Sequence, residues 1–238
     1  MTTKRVGVFL SLGSPALAEL AADVGFDWVL IDLEHGCESE AALPNQLRAL
    51  RGGSTLGIVR IPAAHPDVIG RVLDWGAHGI MVPHVDTVEQ AEHVVRAAYY
   101  PPTGQRGVSR TVRAFGYGTR LPAGDMPKPI ILAQIETAEA VGNAAAIAAL
   151  EGIDALFVGP ADLSFDLQAR RSKLPYDECV DMVVQAARSH GKGCGILARH
   201  IDDWNKLKKY GFEWLAMDSD LSLVREGFRR NLAQGREP

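Results

Sequence analysis

Residues 57–85 read GIVRIPAAHPDVIGRVLDWGAHGIMVPHV, and this stretch holds the repeating unit of the chain. A nearly continuous apolar run, Gly57–Ala63, precedes a segment whose apolar residues are three and four positions apart, and a second apolar run, Gly79–Val85, follows. Such runs predict strands buried on both faces, as in parallel sheets, and the spacing between them predicts a helix. The stretch therefore predicts a strand–helix–strand unit.

The same unit recurs along the rest of the sequence. Further apolar runs precede amphipathic segments at Val6–Leu12, Trp28–His35, 129–137, 153–161, 192–198 and 212–220. About eight such units in 238 residues predict one domain, residues 1–238, folded as a (β/α)8 TIM barrel of α/β class. No Gly-x-Gly-x-x-Gly follows the first strand, which disfavours a dinucleotide-binding fold. The irregular segment 101–128 is long enough to predict a functional or disordered loop.

Composition narrows the class of partner and the setting. A formal net charge of −4 gives no general attraction to nucleic acid or to an anionic membrane. The three cysteines, Cys37, Cys179 and Cys194, have neither zinc-site nor disulfide spacing. The N-terminal apolar run is too short for a membrane span and lacks a convincing signal-peptide cleavage site. We expect a cytoplasmic protein that binds small molecules.

Polar residues cluster where the predicted strands end. In a barrel of this kind the active site forms at the C-terminal ends of the strands. Burying charged groups there without partners would cost stability, so a stable barrel has no structural need for them. Acids, a histidine and an arginine at one mouth therefore indicate a catalytic or binding site. The strand-end residues are Asp32, Glu34, His35, Arg60, Gln134, Glu136, Asp162, Asp218, Ser219 and Asp220.

Two of these carboxylates predict a metal site. Glu136 and Asp162 follow neighbouring strands, and two converging carboxylates completed by water suit Mg²⁺ or Mn²⁺. The alternative is that each acid pairs with a basic neighbour or caps the next helix. It stays open for Asp162, because Asp after a Gly-Pro turn often begins a helix.

His35 and Arg60 are the candidates for proton transfer and for charge stabilisation. A strand-end histidine beside carboxylates suits a general base near neutral pH, although a capping or core histidine is the alternative. The planar fork of Arg60 suits a carboxylate or a developing oxyanion, and a salt bridge inside the barrel is the alternative. His84 and His200 also follow strands and rank second.

Other reactive side chains carry weaker signals. Asp74 ends the predicted third helix, where an acid opposes the helix dipole, so a paired role is indicated. Arg106 is predicted either to reach an anionic ligand or to hold the irregular segment. Lys128 and Lys192 lie near strand starts, the wrong end of the barrel, which disfavours imine chemistry and favours a metal as the electrophile. Cys37 is too close to His35 in sequence for a nucleophile pair to be favoured.

Several long motifs resemble the HpcH/HpaI aldolases, the metal-dependent pyruvate aldolases that act on 4-hydroxy-2-oxo acids and 2-keto-3-deoxy sugar acids. They occur in the family's order and cover nearly the whole chain. The motifs are GFDWVLIDLEHG, IVRIP, RVLDWGAHGIMVPHVDTVEQAE, YPPTGQRGVS, AQIET, EGIDALFVGPADLS, HGKGCGIL and the SDL near the last strand.

The resemblance implies metal ligands and catalytic roles. Glu136 and Asp162 would hold a divalent ion, Mg²⁺, Mn²⁺ or Co²⁺. His35 would act as the base with an ordered water, and Arg60 would stabilise the enolate. Asp74 would lie across a subunit contact and hold the His35 arrangement.

The resemblance also implies a substrate pocket. Backbone amides around Ala161 and Asp162 would receive the carboxylate of the 2-oxo acid, and Gln134 would line the same pocket. The implied substrate-binding set is Gln134, Gly159, Pro160, Ala161, Asp162 and Arg60.

The sequence departs from the family at two motifs and in one loop. Residues 32–37 read DLEHGC where many sugar-acid aldolases have DGEHAP, and residues 217–220 read MDSD where VGSD is frequent. Asp218 adds a negative charge near the mouth, which disfavours phosphate-bearing or long dicarboxylate substrates. The loop expected at Phe165–Lys173 is short.

The predicted function is reversible aldol cleavage to an aldehyde and pyruvate or hydroxypyruvate. A citryl- or malyl-CoA lyase-like enzyme and a non-catalytic barrel that binds an oxo acid are the alternatives. The resemblance further implies a homohexamer, a trimer of dimers, with the last helix, residues 221–235, exchanged between subunits.

Overall fold

The predicted barrel is confirmed by the structure, a computed structural model that describes residues 4–207 and 210–236. Eight parallel strands close in sequence order, β1 to β8, with β8 returning to pair with β1. The strands are β1 Arg5–Leu10, β2 Trp28–Asp32, β3 Leu56–Arg60, β4 Gly79–Val82, β5 Ile130–Ile135, β6 Ala155–Val158, β7 Gly193–Ala198 and β8 Trp214–Ser219.

Helices connect the strands and cover the outside of the barrel. They are α1 Pro15–Val24, α2 Leu43–Ala49, α3 Pro66–Asp74, α4 Val88–Ala98, α5 Ala138–Ala149, α6 Pro160–Ala169, α7 Tyr176–Ser189, α8 Ile201–Leu207 and α9 Asp220–Gln234. The irregular segment 101–128 contains one 3₁₀ turn, Arg113–Gly118. In the described part of the chain, none of these helices is long and apolar enough to cross a membrane.

Capping chemistry in the sequence fixes several helix starts. The Thr87 hydroxyl accepts the backbone N–H of Gln90, and the Gln90 side-chain Oε1 accepts the backbone N–H of Thr87, which makes a complete capping box before α4. Pro160 occupies the first turn of α6, where its fixed φ suits a helix. The prediction of a short loop at Phe165–Lys173 was wrong in part, because α6 continues through Ala169. Leu163 and Leu167, one turn apart, are buried on the inner face of this helix.

Two apolar layers make the core. Side chains pointing into the barrel form one cluster, in which Trp28 and Trp214 meet edge to face at 5.5 Å. A second, larger cluster fills the space between the sheet and the helices. The interior of the barrel is therefore a packed core and not a channel.

Candidate active site

A cavity of about 400 Å³ opens at the C-terminal ends of the strands. It is lined by nine of the predicted strand-end and substrate-binding residues, and Glu136 lies directly behind its wall in contact with Gln134. Around it are Phe9, Ser11, Asp32, His35, Arg60, Gln134, Phe157, Gly159, Pro160, Ala161, Asp162, Leu197, Arg199, Ser219, Leu221, Ser222 and Arg225. Six of the ten strand-end residues predicted from sequence therefore line one mouth: Asp32, His35, Arg60, Gln134, Asp162 and Ser219.

Arg60 is held in the mouth by two acids. The register of β2 and β3 places it beside Asp32, which accepts from Nε at 2.9 Å and from Nη2 at 2.7 Å. Glu34 Oε2 lies 3.0 Å from Nη1. Burial opposes ionisation of Asp32, but the hydrogen bond and charge of Arg60 and two backbone N–H groups outweigh it and hold the pKa of Asp32 below its usual value. The guanidinium is thus permanently charged and oriented.

His35 lies at the rim in the turn that follows β2. Its backbone N–H donates to Asp32 Oδ1 at 3.3 Å, so the same carboxylate that orients Arg60 also fixes this turn. The imidazole Nε2 is 3.8 Å from Glu34 Oε2, and 65% of the side chain is exposed. An accessible imidazole beside a carboxylate can exchange protons with solvent and with a bound molecule.

Glu136 is the most deeply buried acid of the site, with 1% of its surface exposed. His84 donates its backbone N–H to Oε1 at 2.7 Å, and Gln134 Nε2 donates to Oε2. Burial raises the pKa of Glu136; the charges of Asp162 and Glu34 act in the same direction, while His84 opposes them. A second acid close to a buried carboxylate is unfavourable unless a cation joins them.

Asp162 begins α6 on the other side of Gly159. A Cβ at position 159 would lie 2.8 Å from Glu136 Cβ and 2.9 Å from Gln134 Nε2, so only glycine lets the turn pass this close to them. Asp162 is exposed, and no hydrogen bond or ion pair to its carboxylate occurs within the described ranges. The alternative that Asp162 caps the next helix is confirmed for its position, because the residue lies in the first turn of α6. It is wrong for its side chain, which accepts no capping hydrogen bond.

This donor set fits a magnesium-like ion. No group of three or more His, Cys, Asp or Glu side chains could hold a metal within residues 4–207 and 210–236. Mg²⁺, however, is typically bound by one or two carboxylates, with substrate and water completing the shell. Glu136 retains free lone pairs, and Gln134 has a buried Oε1 without a hydrogen-bond partner in the described chain. Such an acceptor suits a metal-ordered water or a substrate hydroxyl.

His84, which the sequence analysis ranked second, lies in contact with Glu136. Its Nδ1 lies 3.2 Å from Glu136 Oε1, and its backbone has φ +52, a rare conformation for a residue other than glycine. The signal was present in the sequence, because His84 follows a strand. Its partner, 52 positions further along the chain, was not visible there.

Asp74 lies away from this mouth. It ends α3 at the opposite end of the barrel, where Arg106 Nη2 donates to its Oδ1 at 2.6 Å. Arg106 is buried and stacks 4.5 Å from the Tyr100 ring, so within one chain it holds the irregular segment. The predicted catalytic role of Asp74 stays a prediction, since it requires another subunit.

Asp218 does not line the cavity. Its backbone has φ +58, and its Oδ1 accepts the N–H of Ser219 at 2.8 Å. Two arginines, Arg199 and Arg225, line the mouth instead. The polar rim of the cavity is therefore more cationic than the sequence indicated.

The positions of the lysines disfavour catalysis through a lysine imine. No lysine lines the cavity in the described part of the chain. Lys192 lies at the other end of the barrel, where its Nζ donates to the carbonyls of Leu150 and Ile153. The mouth therefore offers carboxylates, an imidazole and guanidinium groups, which suit electrostatic and acid–base catalysis.

Comparisons with known proteins find relatives over nearly the whole chain. A family model described as HpcH/HpaI aldolase/citrate lyase matches residues 5–227. A 5-keto-4-deoxy-D-glucarate aldolase from Salmonella arizonae is 36% identical over 231 residues, covering 95% of this chain and 90% of the relative.

Solved structures give the same result. An HpcH/HpaI aldolase/citrate lyase family protein from Burkholderia cenocepacia J2315 superposes with a TM-score of 0.92 at 32% identity, covering 99% of this chain and 95% of that one. The citrate synthase SbnG superposes with a TM-score of 0.83 at 30% identity, covering 98% and 94%.

Proposed function

The chain belongs to the HpcH/HpaI aldolase/citrate lyase family, and from this membership we propose that it is a divalent-metal-dependent aldolase. Its reaction is the reversible cleavage of a 4-hydroxy-2-oxo acid to an aldehyde and a 2-oxo acid, pyruvate or hydroxypyruvate. One observation carries the proposal: buried Glu136 and unpaired Asp162 flank Gly159 at a cavity that also presents oriented Arg60.

Glu136 and Asp162 are the proposed metal ligands. Gln134 Nε2 and the His84 backbone N–H donate to the Glu136 carboxylate and orient it. If His84 Nδ1 also donates, about one of the roughly four lone-pair sites of this carboxylate is left for the metal ion. Mg²⁺, Mn²⁺ or Co²⁺ bound there supplies a Lewis acid beside the 2-oxo group. The ion would also remove the repulsion between the two acids.

The start of α6 is the proposed site for the substrate carboxylate. The N–H groups of Ala161 and Asp162 have no partner inside the helix, and the helix dipole favours an anion at this end. Gly159, Pro160 and Gln134 form the adjoining wall. This end of the cavity selects a 2-oxo acid.

Arg60 and His35 are the proposed groups for charge and proton transfer. In cleavage, His35 acting through a water takes the proton of the C4 hydroxyl. The C3–C4 bond then breaks, the aldehyde leaves, and the electron pair moves to the 2-oxo oxygen. The fixed guanidinium of Arg60 stabilises that negative charge. A proton delivered to C3 completes the 2-oxo acid, and the addition reaction follows the same steps in reverse.

Arg199 and Arg225 support an acidic acceptor aldehyde. Both line the cavity, and Arg225 Nη2 is oriented by Ser222 Oγ at 3.1 Å. The substrate named for the Salmonella relative is a dicarboxylate, so its cleavage leaves a carboxylate on each product. We place the distal carboxylate at these two arginines.

The proposed assembly is a homohexamer of cytoplasmic chains, a trimer of dimers, in which α9 is exchanged. Within the chain, only Asp220 and Ser222 of this helix are buried. Leu223, Phe228 and Leu232 are exposed. Exchange would cover this apolar surface, and a subunit contact would bring Asp74 to a neighbour's His35.

Pyruvate release from 5-keto-4-deoxy-D-glucarate, followed by a coupled dehydrogenase, tests the proposal. His35→Ala should reduce kcat about 10²–10⁴-fold, the usual contribution of general acid–base catalysis. His65→Ala is the matched control, because His65 precedes α3 and makes no side-chain cap. Equal turnover by both variants would remove His35 from the mechanism. Coenzyme A affinity with thioester cleavage would favour the CoA-lyase alternative, and ligand binding without turnover would favour a binding barrel.

A further inference from the structure

A second cavity, of about 320 Å³, lies at the end of the barrel opposite the mouth. Gly52 and Gly53, which precede β3, and His78, which precedes β4, contribute to its wall. The rest comes from α2 and the two residues after it, from Gly76 after α3, and from the 3₁₀ turn Arg113–Gly118 with the residues after it. None of the residues assigned to the aldol reaction lines this cavity.

The lining is strongly cationic. Arg48, Arg51, Arg113 and Arg120 all contribute, and no aspartate or glutamate among the described residues does. The whole chain carries a formal charge of −4, so this concentration of positive charge is local. Burial lowers the pKa of Arg113, and the other three arginines lower it further, while Tyr117 opposes them. An anion in the cavity would relieve that repulsion.

Two of the arginines are positioned by backbone and by glycines. Arg113 donates from Nη1 to the carbonyl of Trp75 at 2.6 Å and from Nη2 to that of Leu47 at 2.8 Å. Gly76 has φ +90, and a Cβ there would lie 2.7 Å from Arg113 Nη1. Gly116 has φ +58, and its Cβ would lie 2.6 Å from Arg120 Nε. Glycine is therefore required at both places for the guanidinium groups to lie where they do.

Polar groups between the arginines add donors. Arg48 lowers the pKa of the Tyr117 hydroxyl. Tyr117 also has φ +57, a costly conformation that the surroundings must hold. His78 accepts the N–H of Gly57 at Nδ1, 3.0 Å away, so Nε2 carries the proton in the neutral ring. Burial and the charge of Arg113 lower the pKa of His78, which favours that neutral form.

We propose that this basic cavity is a second ligand site, which binds a small, multiply charged oxyanion through phosphate or carboxylate groups. Guanidinium forks match both groups in a bidentate way. The volume is at the lower end of the range of small-molecule pockets, about 300–1,000 Å³, which suits an anion of the size of pyrophosphate or citrate. Binding would fix the segment that connects α4 to β5, the strand that carries Gln134.

Isothermal titration of the full-length protein with pyrophosphate, and separately with citrate, at constant ionic strength tests the proposal. We expect the basic cavity to bind one anion per chain, a site that persists when Arg199 and Arg225 of the mouth are both changed to Gln, and a rise in thermal midpoint. Tighter pyrophosphate binding would assign phosphate, and tighter citrate binding would assign carboxylates. Arg51→Gln with Arg120→Gln should weaken binding at least tenfold, and Arg51→Lys with Arg120→Lys should weaken it less, because charge is kept and the forks are lost.

Two controls make the result decisive. Arg229→Gln with Arg230→Gln removes the same charge from exposed positions on α9 and should leave the affinity unchanged. Arg199→Gln with Arg225→Gln removes charge from the mouth. Three results would overturn the proposal. They are loss of anion binding in Arg199→Gln with Arg225→Gln, a loss in Arg229→Gln with Arg230→Gln equal to that in Arg51→Gln with Arg120→Gln, and no anion binding by the wild-type protein.

Discussion

Asp32→Asn is the substitution that most directly perturbs the organisation of the mouth. Asp32 is 3% exposed and makes both hydrogen bonds to Nε and Nη2 of Arg60, whose side chain is 9% exposed. An amide has the same shape, but it carries no charge and can accept at only one of these positions. The guanidinium would then have Glu34 as its remaining acidic partner.

The expected cost is large. Removing one partner of a buried ion pair destabilises a protein by about 3–5 kcal/mol. Because the amide oxygen keeps one hydrogen bond and Glu34 remains 3.0 Å from Nη1, we expect the lower end, about 3 kcal/mol. For a chain of this size each kcal/mol shifts the thermal midpoint by about 2–4 °C, so the midpoint should fall by about 6–12 °C.

The pH dependence has a definite sign. The pKa of Asp32 in the folded protein is below its ordinary value, mainly because the Arg60 contact outweighs burial. The stabilisation from this pair is therefore fully present above the unfolded-state pKa of about 3.9 and is lost as pH falls through the folded-state pKa. The difference between wild type and Asp32→Asn should be constant from pH 7 to pH 5 and should shrink below pH 4.

Urea unfolding across this pH range measures the effect. Glu92→Gln is the control, because Glu92 forms an exposed pair with Arg96 that should contribute at most about 1 kcal/mol. Asp32→Asn and Glu34→Gln combined with Arg60→Met should recover part of the stability, because none of the three charges of this cluster is then left without a partner. A loss under 1 kcal/mol for Asp32→Asn, or a difference from wild type that grows toward acid pH, would refute this account of the pair.

Two further predictions concern Glu136. Burial raises the pKa of Glu136, so ionising it in the metal-free fold costs stability, and that cost grows as pH rises above the unfolded-state value of about 4.3. The stability of the metal-free wild type relative to metal-free Glu136→Gln should therefore fall from pH 4 to pH 7, and calorimetry showing no such fall would contradict this. Gly159→Ala should displace the Glu136 carboxylate and weaken Mn²⁺ binding, measured by electron paramagnetic resonance, at least tenfold. Gly142→Ala, where a Cβ would meet nothing within 4 Å, should leave Mn²⁺ binding unchanged, and equal affinities in the two variants would be evidence against the metal site.

The barrel could be predicted from sequence because its strands are buried on both faces and their apolar runs are continuous. Strand ends were less accurate. The run Trp28–His35 was too long, since β2 ends at Asp32, whose carboxylate accepts the N–H groups of the following turn. Hydropathy cannot detect where a side chain replaces a neighbouring strand as hydrogen-bond partner.

The site could be predicted to the level of candidate residues but not of their partners. Strand-end position alone selected Arg60 and Glu136, and the structure brings both to one mouth. The partners of these two residues depend on the three-dimensional fold. The register of β2 and β3 places Asp32 beside Arg60, and the turn after β4 brings the backbone N–H of His84 to Glu136. The family resemblance is confirmed, whereas the residue roles it implies stay predictions.

Turnover of 5-keto-4-deoxy-D-glucarate before and after removal of divalent ions is the measurement closest to the central claim. The protein is dialysed against a chelator and assayed for pyruvate release, and Mg²⁺, Mn²⁺ or Co²⁺ is then added back. A metal-dependent aldolase using Glu136 and Asp162 should lose its turnover and regain it with at least one of these ions, while Asp162→Asn should regain little. Undiminished turnover in the chelator-treated protein, with no residual metal by elemental analysis, would contradict the account.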